Sequence, residues 1–281
     1  MTSSSGAARP ARVIEPSTRV RLPRPSELWE HRDLLFHLAG RDVAVRYKQS
    51  ALGAGWAILQ PLLLGIVFSV FLGNYADVPS GNGVPYPVFA LSGMVVWLFF
   101  ANAMTFVSQS TIASSELISK VYFPRILIPL AAVAPAVLDL LVSLIVVAGA
   151  MAVYGVEPSV RIVLLPLILP LALGVALGAG LWLSALHVRY RDVQVLVPFF
   201  VLLGLFVTPV VYPFDLVPES VQPLYALNPM VGVLELYRWA LFAGSDWPGA
   251  VVFIPMAMSA VLLISGAWFF QRSERSFADV I

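Results

Sequence analysis

The stretch ILIPLAAVAPAVLDLLVSLIVVAGAMAV, residues 126–153, holds a single charged side chain, Asp139. A helix crosses a hydrocarbon core of about 30 Å with about 20 apolar residues, so this run is long enough to span a membrane. It is apolar on every face. A barrel strand instead needs alternating segments of about ten residues, which leaves the helix as the spanning structure. Five comparable runs flank it, at 56–72, 86–107, 162–186, 195–211 and 251–270. The runs at 56–72 and 195–211 have 17 residues each, the low end of spanning length. The fold expected is all-α and integral to the membrane, with six transmembrane helices.

Composition agrees. Of 281 residues, 59% are hydrophobic and 12% charged, against about 25% charged in a soluble domain. The absence of cysteine excludes disulfides and thiolate chemistry. The first 50 residues contain no apolar segment of the signal-peptide kind. The 17 Lys and Arg are unevenly placed. Nine precede the first run, from Arg9 to Lys48, and Lys120 with Arg125, Arg189 with Arg191, and Arg272 with Arg275 follow the second, fourth and sixth. Only Arg161 and Arg238 fall in the alternate loops. Basic residues concentrate on the cytoplasmic side, so both termini are expected there, which requires an even number of spans.

Three regions are expected. Residues 1–25, rich in Ser, Ala, Arg and Pro, read as a disordered basic tail. Residues 26–50 read as an amphipathic helix with Ser26 as N-cap. Leu28, Leu35, Phe36, Ala39 and Val43 lie on one face and Glu30, Asp33, His37 and Arg41 on the other. Such a helix suits the membrane interface, with Arg32 and Arg46 snorkelling to headgroups; a small soluble packing element is the alternative. Residues 51–281 form the transmembrane domain. Its longest connection, 214–248, contains a helical pattern over 230–242 in which Glu235 and Arg238 are spaced to pair. Short helices re-entering the outer membrane face are expected there.

No P-loop, zinc-protease or nucleophile-elbow motif occurs, and no catalytic residue or metal site is assigned. His31, His37 and His187 read as solvated or satisfied side chains. Asp139 is the one ionisable residue well inside a span, where a carboxylate costs about 2.5–3.5 kcal/mol. It is read either as a pore-facing or proton-handling group, or as a hydrogen-bonded residue between helices near Ser143. It has no evident basic partner in sequence. Trp56, Trp182, Trp239, Trp247 and Trp268 fit an interfacial aromatic belt. Phe68, Phe71, Tyr75, Trp97, Phe99, Phe100, Phe199, Phe200 and Phe206 lie within or beside spans. They read either as lipid- or core-facing bulk or as rings on which sugar C–H faces slide.

Five ordered strings are more specific than membrane filler: Arg46-Tyr47-Lys48-Gln49-Ser50 with Leu52-Gly53 and Trp56; Leu117-Ile118-Ser119-Lys120-Val121-Tyr122-Phe123-Pro124-Arg125; Tyr190-Arg191-Asp192-Val193; Thr208-Pro209-Val210-Val211-Tyr212-Pro213; and Leu227-Asn228-Pro229-Met230 leading to Tyr237-Arg238. In this order, from about residue 26 to the C-terminus, the chain resembles the permease subunits of ABC-2 type polysaccharide exporters, which serve O-antigen, teichoic acid, capsule and cell-wall galactan. The departures are the N-terminal tail and Ser119, where many relatives carry a second basic residue.

The resemblance implies a bacterial inner or plasma membrane permease that dimerises and joins two copies of a cytoplasmic ABC ATPase. ATP and Mg would be bound there and not on this chain. The implied partners are a lipid-linked or growing polysaccharide and membrane lipids, with no nucleic acid. It also implies that Glu116, Leu117, Ile118, Ser119, Lys120, Val121, Tyr122, Phe123 and Arg125 form a coupling helix seated on the ATPase. Ser114 or Ser115 would cap it and Tyr122 and Phe123 would anchor it; an interfacial turn touching lipid is the bland alternative. Phe68, Phe71, Tyr75, Phe199, Phe200 and Phe206 become candidates for the substrate path, Asp139 an intramembrane polar site, and Glu235 with Arg238 an outer re-entrant pair. A drug or small-lipid exporter is the second reading, and a membrane-embedded transferase a remote third.

Overall fold

The computed structural model describes residues 25–48, 52–81, 83–121 and 123–280. The expected basic tail thus lies, except for Pro25, outside the described residues, as do Gln49, Ser50 and Tyr122. Among the described residues the chain is helical, with one isolated β-bridge between Pro158 and Phe242. The order begins α1 (Pro25–Glu30), α2 (Arg32–Lys48) and α3 (Gly55–Phe68), which continues as a π-helical segment, Ser69–Tyr75. Next come α4 (Tyr86–Ala113), α5 (Ser115–Lys120), α6 (Leu127–Ala131) and α7 (Ala134–Val153). The remainder is α8 (Leu165–Arg189), α9 (Val193–Val207), α10 (Gln222–Ala226), α11 (Pro229–Leu241) and α12 (Phe253–Val280).

Among the described residues, five helical stretches are long and apolar enough to cross a membrane: Gly55–Tyr75, Tyr86–Ala113, Leu127–Val153, Val160–Arg189 and Gly249–Glu274. The other apolar run is α9, with 15 residues. They rise about 22 Å, short of the ~30 Å core. The sequence expectation carried this helix to residue 211. It ends at Val207 because a proline forces the residue before it out of the α region, and Thr208, before Pro209, is extended at φ −105°, ψ 137°.

The run 126–153 is likewise not one helix. Pro135 has no N–H to offer the Ala131 carbonyl, and its ring would clash with it. Accordingly α6 stops at Ala131, and a turn over residues 132–133 leads into α7.

The core forms around α4, which packs against α3, α7 and α8 and seals Val88, Ala90, Val96, Ala103 and Val107. Alongside, α8 and α12 approach at glycine distance. A Cβ on Gly178 would stand 2.5 Å from the Leu262 carbonyl carbon, and one on Gly266 2.5 Å from Gly178 O. Small residues permit such close approach between apolar helices. Against this pair and α4 lies α11, almost wholly buried. Asn228 caps it, Oδ1 accepting from Met230 N at 3.0 Å.

A second, smaller core joins Leu38 of α2, Ile118 of α5, Phe123, and Leu127, Ile128 and Ala131 of α6. The expected amphipathic helix is therefore interrupted at His31 and packed on protein along Leu34, Leu35, Leu38 and Ala39. Phe36, expected on that face, is exposed, since two residues turn a helix by about 200°. Arg46, expected to snorkel outward, turns into the bundle.

Candidate functional site

At the Ala113 end of α4, the chain turns through α5 into α6. Ser114 occupies the N-cap position of α5 without a side-chain capping bond; its Oγ instead accepts from Arg41 Nη2 of α2 at 3.4 Å. Glu116 and Lys120 pair at 3.2 Å on the solvent side, and Val121 is exposed beside them. Leu117 is half-buried and Ile118 buried.

Phe123 corrects the sequence expectation. It is 7% exposed, within the core shared by α2, α5 and α6, so it anchors this segment internally and offers no ring to an outside partner. Arg125 also faces inward: Nη1 donates to Glu274 O, and Nε lies 3.8 Å from Glu274 Oε1 on α12. The outward face of α5 is thus Glu116, Lys120 and Val121, along a groove that Arg41 also lines.

Asp139 has the basic partner that was not evident in sequence. Arg46 Nη2 donates to Oδ2 at 2.7 Å and Tyr47 OH donates to Oδ1. The Arg46 guanidinium also sits 4.7 Å above the Phe106 ring of α4, a favourable cation–π distance. Burial, then the bond to Asp139, pushes the Tyr47 phenol up to about 12, so it remains a donor at neutral pH. Ser143 does not reach the carboxylate; its hydroxyl bridges Asp139 O at 2.7 Å and Ala57 O of α3 at 2.8 Å. One buried carboxylate therefore holds the end of α2 against α7.

At the Tyr86 end of α4, a clamp forms on the turn after α9. Arg238 is buried; Nη1 donates to Pro209 O at 2.8 Å and Nη2 to Val210 O at 2.6 Å. Its guanidinium lies 3.8 Å from the Phe89 ring centre. Glu235 stands 3.8 Å away, a looser contact than the two carbonyls. Asn228 Nδ2 donates to Thr208 Oγ1 at 2.8 Å, and Tyr86 OH to Val211 O at 2.6 Å. Gly93 leaves the space for this crossing: a Cβ there would collide with Val210 O and stand 2.6 Å from Arg238 Nη2. Arg161 is equally engaged, donating to Ser159 Oγ at 2.8 Å and Ser245 O at 3.1 Å, with Trp239 4.6 Å beneath it.

Of the aromatic candidates, Phe71, Tyr75, Phe199, Phe200 and Phe206 are exposed on α3 and α9, while Phe68 packs against the main core. Trp97 and Phe99 are buried. Among the described residues no cluster of three or more His, Cys, Asp or Glu is placed to hold a metal. Two arrangements escaped the sequence reading, the Arg46–Tyr47–Asp139 cluster and the carbonyl clamp around Arg238. For the first, the signal was available: an intramembrane carboxylate pairs, and basic side chains crowd the preceding segment.

The profile of the ABC-2 type transporter family matches residues 33–242. An O-antigen export system permease protein of Myxococcus xanthus is 31% identical over 265 residues, covering 93% of this chain and all of its own length. One of Klebsiella pneumoniae is 29% identical over 250 residues, covering 89% and 95%. A polysialic acid transport protein of Escherichia coli is 25% identical over 245 residues, covering 83% and 91%.

Proposed function

Because the chain belongs to the ABC-2 type transporter family, we propose that it is the permease subunit of an ATP-driven polysaccharide exporter. The observation that carries this is the end-to-end similarity to an O-antigen export permease. The chain is a transporter subunit and not an enzyme. ATP and Mg2+ bind a separate ATPase, two copies of which serve two copies of the permease.

In this reading six segments cross the bacterial inner or plasma membrane, and both termini are cytoplasmic. The five long apolar helices and the basic-residue asymmetry support it. The sixth crossing is α9 completed by the irregular stretch from Thr208. Irregular backbone survives at membrane depth only when protein shields it, and Arg238, Tyr86 and Asn228 supply that shielding.

The α5 face of Glu116, Lys120 and Val121, with Leu117 behind, meets the ATPase, and Ser119 belongs to the same segment. Ile118 and Phe123 pass its displacement to α2 and α6 through their shared core. Residues 26–50 therefore work with this segment, and Asp139 fixes how α2 sits. Exposed rings on α3 and α9 line a conduit between the two copies, along which a lipid-linked or growing glycan moves. Depleting the chain in its host tests this. Polysaccharide should accumulate inside and vanish from the surface, and a plasmid copy should restore it; an unchanged surface would overturn the reading.

A further inference from the structure

Gln60 of α3 and Asn102 of α4 line one notch, together with Trp56 and the Asp139 side of α7. Among the described residues neither amide has a hydrogen-bond partner. Gln60 and Trp56 are exposed and Asn102 is half-buried. Val95, Leu98 and Phe99 wall the notch. On α4, Leu98 lies about 18 Å of helix from Tyr86 and about 22 Å from Ala113; on α3, Gln60 lies about 8 Å of helix inside Gly55, where the apolar stretch Gly55–Tyr75 begins.

Within apolar stretches of this kind an amide turned to hydrocarbon is costly. Two such amides on one notch mark a surface that meets water or a polar solute. Charge does not define that solute, because Asp139, the ionisable residue in the lining, already holds Arg46 and Tyr47. What remains is an indole face and two groups that each offer donors and an acceptor. This combination suits a neutral, hydroxyl-bearing ring lying across the mouth of the notch, which is itself too small to enclose one, with its C–H face on the indole and its hydroxyls on the amides. Farther along α3, Val67 returns to within about 20° of Gln60, and the π-helical continuation carries Phe71. Both are exposed, and the Tyr75 ring stands 6.1 Å from that of Phe71 with the exposed amide of Asn74 between them in sequence. Aromatic and amide groups thus recur at both ends of this helical stretch.

We propose that Trp56, Gln60 and Asn102 form a sugar-contact station, which engages successive neutral sugar residues of the polymer in transit; this rests on the polysaccharide reading above. The test uses cells carrying the full chain and its ATPase. A photo-crosslinking residue in place of Gln60 should give a high-mass adduct that stains for polysaccharide. The same residue in place of Ile145, exposed on α7, should give at least tenfold less. At wild-type membrane level, Gln60→Leu with Asn102→Leu should lower surface polymer at least about fivefold, the effect of losing one net hydrogen bond. Should the wild-type chain be required for surface polymer while position 60 captures only lipid or a second copy of the chain, the station is overturned and the export reading stands. Should depletion of the chain leave surface polymer unchanged, the export reading itself fails.

Discussion

Replacing Asp139 with leucine should release the end of α2 from α7 and lower the stability of the whole permease. Removing one partner of a buried ion pair costs about 3–5 kcal/mol. Arg46 retains 30% of its side-chain exposure and can turn toward water, which reduces the expected cost to about 2–3 kcal/mol. For a chain of this size each kcal/mol moves the melting temperature by about 2–4 °C, so Asp139→Leu should melt ~4–12 °C below wild type. Replacing all members by apolar shapes is often neutral. The combined variant Arg46→Met, Tyr47→Phe, Asp139→Leu should therefore recover most of the loss. Scanning fluorimetry of the purified permease–ATPase complex reads both numbers. A proton-handling Asp139 gives the opposite pattern: Asp139→Asn would stop export while leaving melting unchanged, and the combined variant would stay inactive. That result would refute the latch.

Four further outcomes follow from the geometry. Phe123→Ala should destabilise the α2–α5–α6 core by about 3–5 kcal/mol, read as lost membrane accumulation, whereas Val121→Glu should leave accumulation intact and weaken ATPase co-purification. Gly93→Ala should abolish accumulation, because its Cβ meets the Val210 carbonyl and the Arg238 guanidinium; a wild-type level would contradict the clamp. Asn228→Ala should cost about 1 kcal/mol through the lost cap of α11, seen as a modest fall in melting temperature. Single cysteines in this cysteine-free chain should label from outside intact cells at Ser80 and Asp215 but not at Lys120 and Arg191; outside labelling at Lys120 would break the six-span topology.

Apolar length is a one-dimensional property, which is why the spans are legible in sequence while their ends are not. Hydropathy passes over Pro135 and Pro209, yet each acts by a local backbone rule that fixes where α6 and α9 stop. Phe123 is different. Whether an aromatic residue in a short connection faces inward depends on α2 lying over it, a contact with Leu38 far away in the chain. The latch lies beyond local reading too, since Arg46 and Asp139 are 93 residues apart and many basic side chains precede the first span. Arg238 shows a further limit. Its spacing from Glu235 suggests an ion pair, but the closer partners are two backbone carbonyls beside a proline, which no side-chain pattern announces.

As the permease of an ATP-driven exporter, this chain conducts polysaccharide across a membrane at the expense of ATP. Inside-out vesicles carrying the permease with its ATPase test it most directly, with radiolabelled polymer of the host supplied on the exposed face. The polymer should become resistant to added glycosidase only with hydrolysable ATP, and not in vesicles lacking this chain. Equal protection without ATP hydrolysis, or without the chain, would contradict it.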